Sequence, residues 1–510
     1  MQKLIVADVN PHEARVALLE DGKLVEVQLE TRGQERLVGN IYKGRVANIL
    51  PGMQAAFVDI GLNKNAFLYA GDILVDESDF YFPENSDGEE PSRPKLDVPN
   101  IRDILNQNQE IMVQVLKQPG GTKGARVTTH ITLPGRLVVL MPTVNHVGVS
   151  RRIENEEERE RLKEMVESIK PKGVGVIVRT VAEGCSAEHI ENEIKFLYRL
   201  WEKIQQKADF LSSPRLIHAE ETLLFRTVRD MFTEDVEQFI INDSDYFNKV
   251  QAVVNIVAPE MKGKVCFFES DQNIFDYYDI ETKIEKALER KVWIKNGCYL
   301  VIDETEALTV IDVNTGKYIG EDNLQDTILN ANIEAAQEIA KQLRLRDISG
   351  IIVIDFIDMD NAENKQKVVD ALTEALRVDR VKTNVLGMTE LGLVEMTRKK
   401  TRRKVSALTQ TTCPTCGGSG RVYNLENMAM RVRREVLRTI QGQKQDAYIV
   451  EMSEELANYI ASKNNINKPI LPLFDDKRFY MKTIKNVHPE YIRVYAATDK
   501  NAMQGAQMFL

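Results

Sequence analysis

Two apolar segments joined by an amphipathic segment dominate the pattern of hydrophobic and polar positions in the middle of the chain. In the first, residues 307–314, apolar and polar residues alternate, which puts Asp312 and Asn314 on one face of a strand. The second, residues 350–358, is an almost continuous apolar run, as in strands buried on both faces. Between them, apolar residues recur at helical spacing, which predicts a strand–helix–strand unit with parallel strands. These residues are Ile328, Ala335, Ile339 and Leu343.

Asp312, Asn314 and Asp355 fall near the carboxyl ends of these two strands, and ligands of such sheets bind outside those ends. Two carboxylates and an amide suit Mg²⁺, which keeps several waters and binds through one or two carboxylates plus a substrate phosphate. A single aspartate at a strand end more often caps a loop or a helix. Neither strand contains a compensating basic residue, so a metal site and a capping role are both open on the pattern alone.

Short alternating segments at the start of the chain predict β-strands. They cover residues 3–8, 13–19 and 23–28, with a turn at 20–22. Such a hairpin is too small to fold alone, so we expect it to join a sheet formed between about residues 215 and 290.

Glycine-broken strands then predict a small Greek-key barrel of the OB type. They cover residues 41–49, 54–61, 65–68 and 110–116. Phe57 and Phe67 fall in this barrel near Lys43, Arg45 and Lys64. Aromatic rings on an OB face stack nucleic-acid bases and basic side chains hold phosphates, but a strand phenylalanine is more often part of the core. Both roles are open at this point.

A strand-rich block after residue 123 leads to Arg179 and Thr180, which follow a glycine-punctuated strand. A guanidinium fork and a hydroxyl can fix a terminal phosphate, although an Arg-Thr pair alone is weak evidence. A long helix is predicted next, with Ser186 as its N-cap. Its apolar stripe consists of Ile190, Ile194, Leu197, Trp201 and Ile204.

Length and charge narrow the classes of function. The 510 residues predict roughly three or four domains. A net charge of −10 excludes a uniformly basic nucleic-acid coat, so local patches must carry any such binding. We expect no membrane span and no signal peptide. Of the five cysteines, three are scattered, which favours a reducing, cytoplasmic setting.

The remaining two thiols belong to Cys413 and Cys416, whose spacing is that of half a tetrahedral zinc site. Either they are a redox pair, or two chains share one zinc ion. The turn-rich Cys-Pro-x-Cys-Gly-Gly sequence favours the shared zinc, and therefore a dimer, because a redox pair is expected at a helix N-terminus. Just upstream of the cysteines, six of the seven residues at 398–404 are lysine or arginine. Such a basic run predicts a solvated loop or a contact to a polyanion.

On these residues the chain resembles the RNase E/G family of bacterial endoribonucleases. The motifs that carry the resemblance are IYKGR (41–45), AAFVDIG (55–61), KGA (123–125), SRRI (150–153), EALTVIDVNT (306–315), QLRLRD (342–347), IVIDFIDM (352–359) and CPxC (413–416).

The resemblance implies a multidomain α+β and α/β fold. It comprises an RNase H-like domain in two parts (1–35 and 225–287), an OB-fold RNA-binding barrel (36–130), a 5′-end sensor (131–224), a DNase I-like catalytic domain (288–409), a zinc link (410–423) and a small dimerisation domain (424–510).

The resemblance also implies roles for individual residues. By position, Asp312 and Asp355 correspond to the catalytic magnesium ligands, assisted by Asn314. The other implied roles are single-stranded RNA binding by Phe57, Phe67 and Lys123, 5′-phosphate binding by Arg179, Thr180 and the main chain near Val139, and zinc binding between two subunits by Cys413 and Cys416.

The function implied is that of a magnesium-dependent endoribonuclease that cuts single-stranded, AU-rich RNA, prefers 5′-monophosphorylated ends, and acts in rRNA maturation and mRNA decay. A homodimer is implied, with a tetramer left open, and we expect no degradosome scaffold in this chain. A non-catalytic RNA-binding assembly factor and a metal-dependent DNA nuclease are the alternatives. The acidic loop at 71–100 departs from the family pattern.

Overall fold

The computed structural model describes residues 2–31, 36–73, 100–119, 123–316, 324–441, 445–463, 477–497 and 507–508. The chain forms two compact units, Met1–Leu408 and Thr409–Leu510. Most of the predicted acidic loop at 71–100 lies outside the described residues. Within the described ranges, no helix is both long and apolar enough to cross a membrane.

Strands and short helices alternate along the chain, so the fold is of the mixed α and β type that the sequence predicts. The strands are β1 (Lys3–Val9), β2 (Glu13–Glu20), β3 (Lys23–Thr31), β4 (Ile41–Leu50), β5 (Ala55–Asp59), β6 (Ala66–Tyr69), β7 (Glu110–Lys117), β8 (Arg126–Thr128), β9 (Leu133–Pro134), β10 (Val138–Met141), β11 (Val147–Val149), β12 (Gly175–Val178), β13 (Arg215–His218), β14 (Val236–Ile241), β15 (Val265–Phe267), β16 (Lys291–Trp293), β17 (Tyr299–Glu304), β18 (Leu308–Asn314), β19 (Gly350–Asp355), β20 (Thr383–Met388), β21 (Leu393–Arg398), β22 (Ala447–Ser453), β23 (Arg478–Ile484), β24 (Ile492–Ala496) and β25 (Gln507–Met508). The helices are α1 (Ile101–Ile104), α2 (Glu156–Ile169), α3 (Ala187–Phe210), α4 (Leu223–Asp230), α5 (Ser244–Val257), α6 (Ile274–Tyr277), α7 (Ile280–Leu288), α8 (Leu324–Leu345), α9 (Ala362–Leu376), α10 (Val405–Thr409), α11 (Leu425–Gln441) and α12 (Glu454–Lys463).

The N-terminal hairpin is part of a sheet whose strand order is β15-β14-β1-β2-β3. Strand β1 pairs antiparallel with β2 and parallel with β14, more than 200 positions later in the sequence. Apolar side chains from both faces of β1 and β2 are buried in two separate clusters. The prediction that the hairpin joins a sheet formed between 215 and 290 is confirmed.

A five-stranded ring follows, in the order β4-β5-β6-β8-β7, and it closes because β4 also pairs with β7. Alternation decides which side chains enter it, since Ala56, Val58, Ala66 and Leu68 are fully buried in its core. The expected OB-type barrel is therefore present in this part of the chain. Strand β13, which is not part of the ring, also pairs antiparallel with β4.

The block after the barrel is a sheet of order β11-β12-β10-β9 covered by α2 and α3. The side chain of Ser186 accepts a hydrogen bond from the backbone N–H of His189, as predicted for an N-cap. The five stripe residues of α3 named above are all buried. Helix α3 thus packs on the sheet whose strand β12 directly precedes Arg179.

The central unit of the sequence lies in a six-stranded sheet of order β16-β17-β18-β19-β21-β20. Strands β18 and β19 are parallel neighbours, and α8 connects them, as the spacing predicts. Ala335, Ile339 and Leu343 of α8 pack on Ile311 and on the other apolar side chains of one face of this sheet. Asp312, Asn314 and Asp355 lie on the opposite face of the sheet.

The basic run at 398–404 is only partly a solvated loop, because its first arginine is buried whereas Lys399, Lys400 and Arg403 are exposed. The Arg398 side chain is 2% exposed and forms ion pairs with Asp379 (Nε to Oδ2, 2.8 Å) and Asp347 (Nη1 to Oδ1, 2.7 Å). Arg402 pairs with Glu26 on β3 (2.8 Å). The expectation of a solvated loop is therefore wrong for Arg398 and Arg402, which tie elements of the first unit together. A polyanion contact by the exposed residues of the run stays a prediction.

The second unit contains a sheet of order β24-β22-β23-β25, packed against α11 and α12. Tyr448 and Phe479 are stacked at its centre, with ring centroids 6.0 Å apart. The segment with Cys413 and Cys416 precedes α11 in the chain.

Candidate functional site

Asp312 and Asp355 face each other at the carboxyl ends of β18 and β19, where they are the last register pair of the two parallel strands. Both carboxylates are exposed. Asn314, two residues after Asp312 on the same face of β18, donates a hydrogen bond from Nδ2 to Asp312 Oδ2 at 2.9 Å. The strand–helix–strand unit therefore brings together the three side chains predicted for the metal site.

The electrostatics of this pair favour a cation. Partial burial raises the pKa of Asp355 above its ordinary value, and the nearby carboxylates of Asp312 and then Asp358 raise it further. Like charges converge here, because three aspartates lie at the end of two strands. A positive ion between them would relieve this repulsion.

The donor set fits Mg²⁺ better than a metal held only by protein atoms. In the described part of the chain, no group of three or more histidine, cysteine, aspartate or glutamate side chains is arranged to hold a metal ion. Mg²⁺ needs fewer protein ligands, since it keeps several waters and uses substrate phosphate oxygens. A cavity of about 100 Å³ beside the strand end is lined by Asp358, Lys365 and Glu390 among others.

Phe57 and Phe67 lie on the outer surface of the barrel and not in its core. They are direct partners on β5 and β6, with ring centroids 6.1 Å apart and an edge-to-face angle of 71°. Their neighbours along each strand point inward and are buried, whereas both rings are half-exposed. The alternative of a core role is therefore wrong.

Two of the basic side chains near these rings are less available for a phosphate contact than the sequence indicates. Glu110 pairs with both Lys43 (3.0 Å) and Arg45 (3.2 Å), and Lys43 Nζ also donates to the carbonyl oxygen of Ala208. Lys123, by contrast, is exposed. Lys123 thus stays the better candidate for a phosphate contact on the barrel.

Arg179 and Thr180 follow directly on β12. The Nη1 atom of Arg179 donates to the carbonyl oxygen of Gly135 (2.7 Å) and lies 2.9 Å from the Asp230 carboxylate. The hydroxyl oxygens of Thr180 and Ser150 are 3.1 Å apart. A guanidinium and two hydroxyls thus gather after β12, but the guanidinium already has a carboxylate partner.

Val139 lies on β10 opposite Ile177 of β12, two residues before Arg179. The backbone N–H of Arg179 itself donates to the carbonyl oxygen of Leu137 (2.8 Å). The turn before Val139 is organised by Glu193 of α3, whose carboxylate accepts the backbone N–H groups of residues 136–138 at 2.7, 2.7 and 3.0 Å. Burial raises the pKa of Glu193 although these N–H groups oppose the shift. A Cβ at Gly135 would lie 2.8 Å from Glu193 Cδ, so glycine is required there.

Asp230 is held between two guanidinium groups. Arg229 and Arg179 each lie 2.9 Å from its carboxylate, and Arg229 also pairs with Glu220 at 2.8 Å. Burial alone would raise the pKa of Asp230, but Arg229 and then Arg179 outweigh it and lower the pKa to about 2. A phosphate that binds Arg179 must therefore compete with a charged carboxylate.

Cys413 and Cys416 lie in a tight knuckle of turns in the second unit, where Gly417 N–H donates to the Cys413 carbonyl oxygen (2.8 Å). Hydrogen bonds from the backbone N–H groups of Cys416 and Thr415 lower the pKa of Cys413, which favours its thiolate. The chain offers two sulfur ligands here, which fits half of a tetrahedral zinc site.

Comparison with known proteins identifies the family. The sequence profile described as the Ribonuclease E/G family matches residues 132–401. Ribonuclease G of Haemophilus influenzae is 42% identical over 485 residues, covering 94% of this chain and 96% of that protein. Ribonuclease G of Escherichia coli K12 is 42% identical over 474 residues, covering 93% and 95%. Ribonuclease E of H. influenzae is 37% identical over 436 residues, covering 85% of this chain and 45% of that protein.

The chain belongs to the ribonuclease E/G family. The resemblance stated from the motifs is therefore confirmed, and so is the expectation of an endoribonuclease.

For this ribonuclease E/G family member, three structural features lay outside the sequence predictions. Asp358 contributes to the charge near Asp355, and its D-x-x-D spacing was the available signal. Asp230 and Glu193 contact the predicted phosphate group from distant parts of the chain, and no local pattern indicates those contacts. The predicted site residues lie in the six-stranded sheet of β16–β21, the barrel, the β10–β12 sheet and the cysteine knuckle.

Proposed function

We propose that this ribonuclease E/G family member cuts single-stranded RNA with Mg²⁺ held by Asp312 and Asp355. The observation that carries the proposal is the register pair of these two carboxylates on parallel strands, with Asn314 hydrogen-bonded to Asp312 at 2.9 Å. Strand backbones hold the pair, so its geometry is fixed before substrate arrives.

When bound, Mg²⁺ supplies charge stabilisation of the scissile phosphate and lowers the pKa of a water for in-line attack on phosphorus. Asp312 and Asp355 supply the oxygen ligands, and Asn314 orients Asp312 through its hydrogen bond. As in the family, the expected products carry a 5′-phosphate and a 3′-hydroxyl.

The outer barrel surface with Phe57, Phe67 and Lys123 is proposed to hold the RNA. Half-exposed rings stack any base, so the surface fits single strands without a fixed sequence. By resemblance to the family, we infer AU-rich targets and a role in rRNA maturation and mRNA decay. Profiling 5′ ends in cells with and without the protein tests these roles, and unchanged rRNA and mRNA ends would contradict them.

The test of the nuclease itself compares RNA and DNA oligonucleotides of one sequence, both single-stranded and 5′-monophosphorylated, with Mg²⁺ present. Cleavage of RNA alone supports the proposal. Cleavage of both would favour the DNA nuclease. Binding of RNA without any cleavage would favour the non-catalytic assembly factor, against which the paired carboxylates argue.

A preference for 5′-monophosphorylated ends is proposed to arise at Arg179 and Thr180, near the main chain of Val139. The phosphate would replace Asp230 as the partner of Arg179, while Asp230 keeps Arg229. Binding can stimulate cleavage only if it favours the cleaving arrangement over the other. A physical connection exists, since Arg152, two residues after Ser150, donates to the carbonyl oxygen of Asp379 (3.1 Å). Asp379 in turn pairs with Arg398 of β21, the strand next to β19.

Arg179→Ala is expected to reduce the preference for 5′-monophosphorylated over 5′-hydroxyl RNA by about tenfold or more, because a hydrogen bond between charged groups contributes about 1.5–3 kcal/mol. Cleavage of 5′-hydroxyl RNA should stay unchanged. The measurement is kcat/KM on both substrates. Arg199→Ala, which removes an exposed arginine from α3, is the control. An equal loss on both substrates would show that Arg179 has a different role.

The domain boundaries inferred from the resemblance are retained as a proposal, with RNase H-like parts at 1–35 and 225–287 and a DNase I-like domain at 288–409. The sheet that joins β1–β3 with β14 and β15 supports the first, and the six-stranded sheet of β16–β21 supports the second. A solved structure of the protein compared with those folds would test both assignments.

Cys413 and Cys416 are proposed to bind one zinc ion together with the same pair of a second chain, giving a homodimer that can pair further into a tetramer. Cys413→Ser is expected to remove the zinc and to halve the mass measured by light scattering, because the ion loses its tetrahedral ligand set. Cys266→Ser, a partly buried thiol of the first unit, should change neither. A Cys413–Cys416 disulfide in a metal-free dimer would favour the redox alternative.

The thiols of Cys185, Cys266 and Cys298 are unpaired with one another, which fits a reducing compartment. We infer that the protein acts in the cytoplasm. Recovery of the tagged chain from a membrane fraction would contradict this inference.

A further inference from the structure

A cluster of two aromatic rings and one ammonium group lies on the first two strands of the six-stranded sheet of β16–β21, which is the catalytic sheet of the proposed function. Trp293 on β16 and Tyr299 on β17 are register partners with ring centroids 5.2 Å apart. Lys291 Nζ lies 4.1 Å from the Trp293 centroid and 3.5 Å from that of Tyr299. Trp293 is 56% exposed, so this large apolar ring is open to solvent.

The register of the sheet puts this cluster on the same face as the candidate catalytic residues. Tyr299 pairs with Asn314, and Asp312 pairs with Asp355. The alternate residues of these strands, such as Leu300 and Ile311, are buried on the helix-covered face. At about 5 Å per strand, Trp293 lies two strands and roughly 10 Å from Asn314.

The two rings differ in how they are held. A Cβ on Gly316 would lie 3.2 Å from Tyr299 Cδ1, so the chain that follows Asn314 passes beside the tyrosine ring. Trp293 contacts the Tyr299 ring and the Lys291 ammonium, and 56% of its surface stays exposed. Tyr299 thus fixes the orientation of Trp293, and the outer part of the indole is available to a ligand.

We propose that Lys291, Trp293 and Tyr299 form a stacking platform for one nucleobase of the RNA, close to the phosphate that is cut. The proposal rests on the proposed function and adds a second base-binding surface to that of the barrel. The indole stacks on the base, because every base has a π-face. The Lys291 ammonium, which forms no salt bridge within the described ranges, supplies a positive charge for the adjoining phosphate.

Position distinguishes this platform from an ordinary exposed aromatic residue. Single apolar side chains on a surface need no explanation. Here a fixed aromatic pair with a cation shares an open sheet face with two carboxylates that repel RNA. Stacking and a positive charge next to those carboxylates would hold the strand where its phosphate meets the metal ligands.

The first experiment uses the fact that the chain has two tryptophans, Trp201 and Trp293. Trp201 is buried, at 8% exposure, so Trp201→Phe makes Trp293 the sole indole probe. Its fluorescence is titrated with a single-stranded RNA in buffer without added Mg²⁺ and without chelator, which leaves the RNA intact and the thiolate site undisturbed. Quenching that saturates with RNA supports the platform, and unchanged emission while the RNA binds by anisotropy overturns it.

The second experiment measures cleavage of RNAs that carry one abasic nucleotide, placed in turn at the three positions on either side of the cut. Trp293→Ala is expected to raise KM about tenfold with kcat nearly unchanged, because a stacked base is held alike in ground and transition states. In the wild-type protein, an abasic nucleotide at one of these positions should raise KM by a similar factor. In Trp293→Ala, an abasic nucleotide at that position should raise KM no further. Trp293→Phe should restore most of the affinity that Trp293→Ala loses.

Phe196→Ala is the matched control, since Phe196 is 57% exposed on α3, away from the catalytic sheet. An equal effect of both alanine variants, or an abasic penalty that persists in Trp293→Ala, would overturn the platform. So would emission from Trp293 that changes with protein concentration but not with RNA, because a second chain would then cover the ring. Quenching by RNA without any cleavage on adding Mg²⁺ would leave the platform standing and contradict the nuclease proposal instead.

Discussion

Asp312→Asn is expected to reduce cleavage of a 5′-monophosphorylated single-stranded RNA about a thousandfold, while RNA binding persists. The substitution removes one of the two carboxylates that are proposed to bind the metal. Metal stabilisation of the developing charge contributes several kcal/mol, of which about 4 kcal/mol corresponds to this factor. The shape of the site is kept, because an asparagine oxygen can still accept the hydrogen bond of Asn314. The measurement is single-turnover cleavage with Mg²⁺, beside binding by anisotropy without it.

Asp303→Asn is the control for this prediction. Asp303 lies on β17 in the same sheet, but it pairs with Arg290 at 2.5 Å, so its loss changes the same charge without touching the candidate site. Full activity of Asp312→Asn, or a parallel loss in Asp303→Asn, would refute a metal site at Asp312. A further readout is the pKa of Asp355, which should move back towards its ordinary value once the neighbouring carboxylate is gone.

Sequence periodicity predicted the elements that are determined locally. The period of two in β18 decides that Ile311 is buried and Asp312 exposed, and the helical spacing of α8 decides which face meets the sheet. Because each strand of the unit carries an aspartate at or near its carboxyl end, their parallel pairing brings the carboxylates together. The candidate metal site could therefore be predicted from a segment of about 50 residues.

Partners from distant parts of the chain could not be predicted in this way. Glu110 pairs with Lys43 and Arg45 on the barrel, which local composition indicates as free cations. Asp230 reaches Arg179 from a helix about 50 positions later. A pattern of hydrophobicity reports which face of an element is buried, but it does not report which charged groups meet across elements.

Arg398 is the strongest case. Arg398→Met is expected to destabilise the fold by about 3–5 kcal/mol, because the buried Asp379 loses its ion-pair partner and Asp347 keeps only the longer contact to Arg402 (3.5 Å). Burial alone lowers the pKa of Arg398, but Asp379 and then Asp347 outweigh it and raise the pKa above its ordinary value. Its guanidinium also donates to the carbonyl oxygen of Ile348 at 3.0 Å, just before β19. The measurement is the free energy of unfolding of the first unit from denaturant titration.

The double variant with Asp379→Asn tests whether charge, and not lost packing, causes this effect. Asp379 also accepts the backbone N–H of Val381 at 2.9 Å, a hydrogen bond that the asparagine oxygen can keep. Neutralising one stranded carboxylate should therefore recover part of the stability lost in Arg398→Met, although Asp379→Asn alone is destabilising. Arg377→Met, an exposed arginine paired with Glu374, should leave the midpoint nearly unchanged. If the double variant is as unstable as the sum of the two single ones, the ion pair is not what holds β21 against the Asp379 segment, and the loss reflects packing of the Arg398 side chain alone.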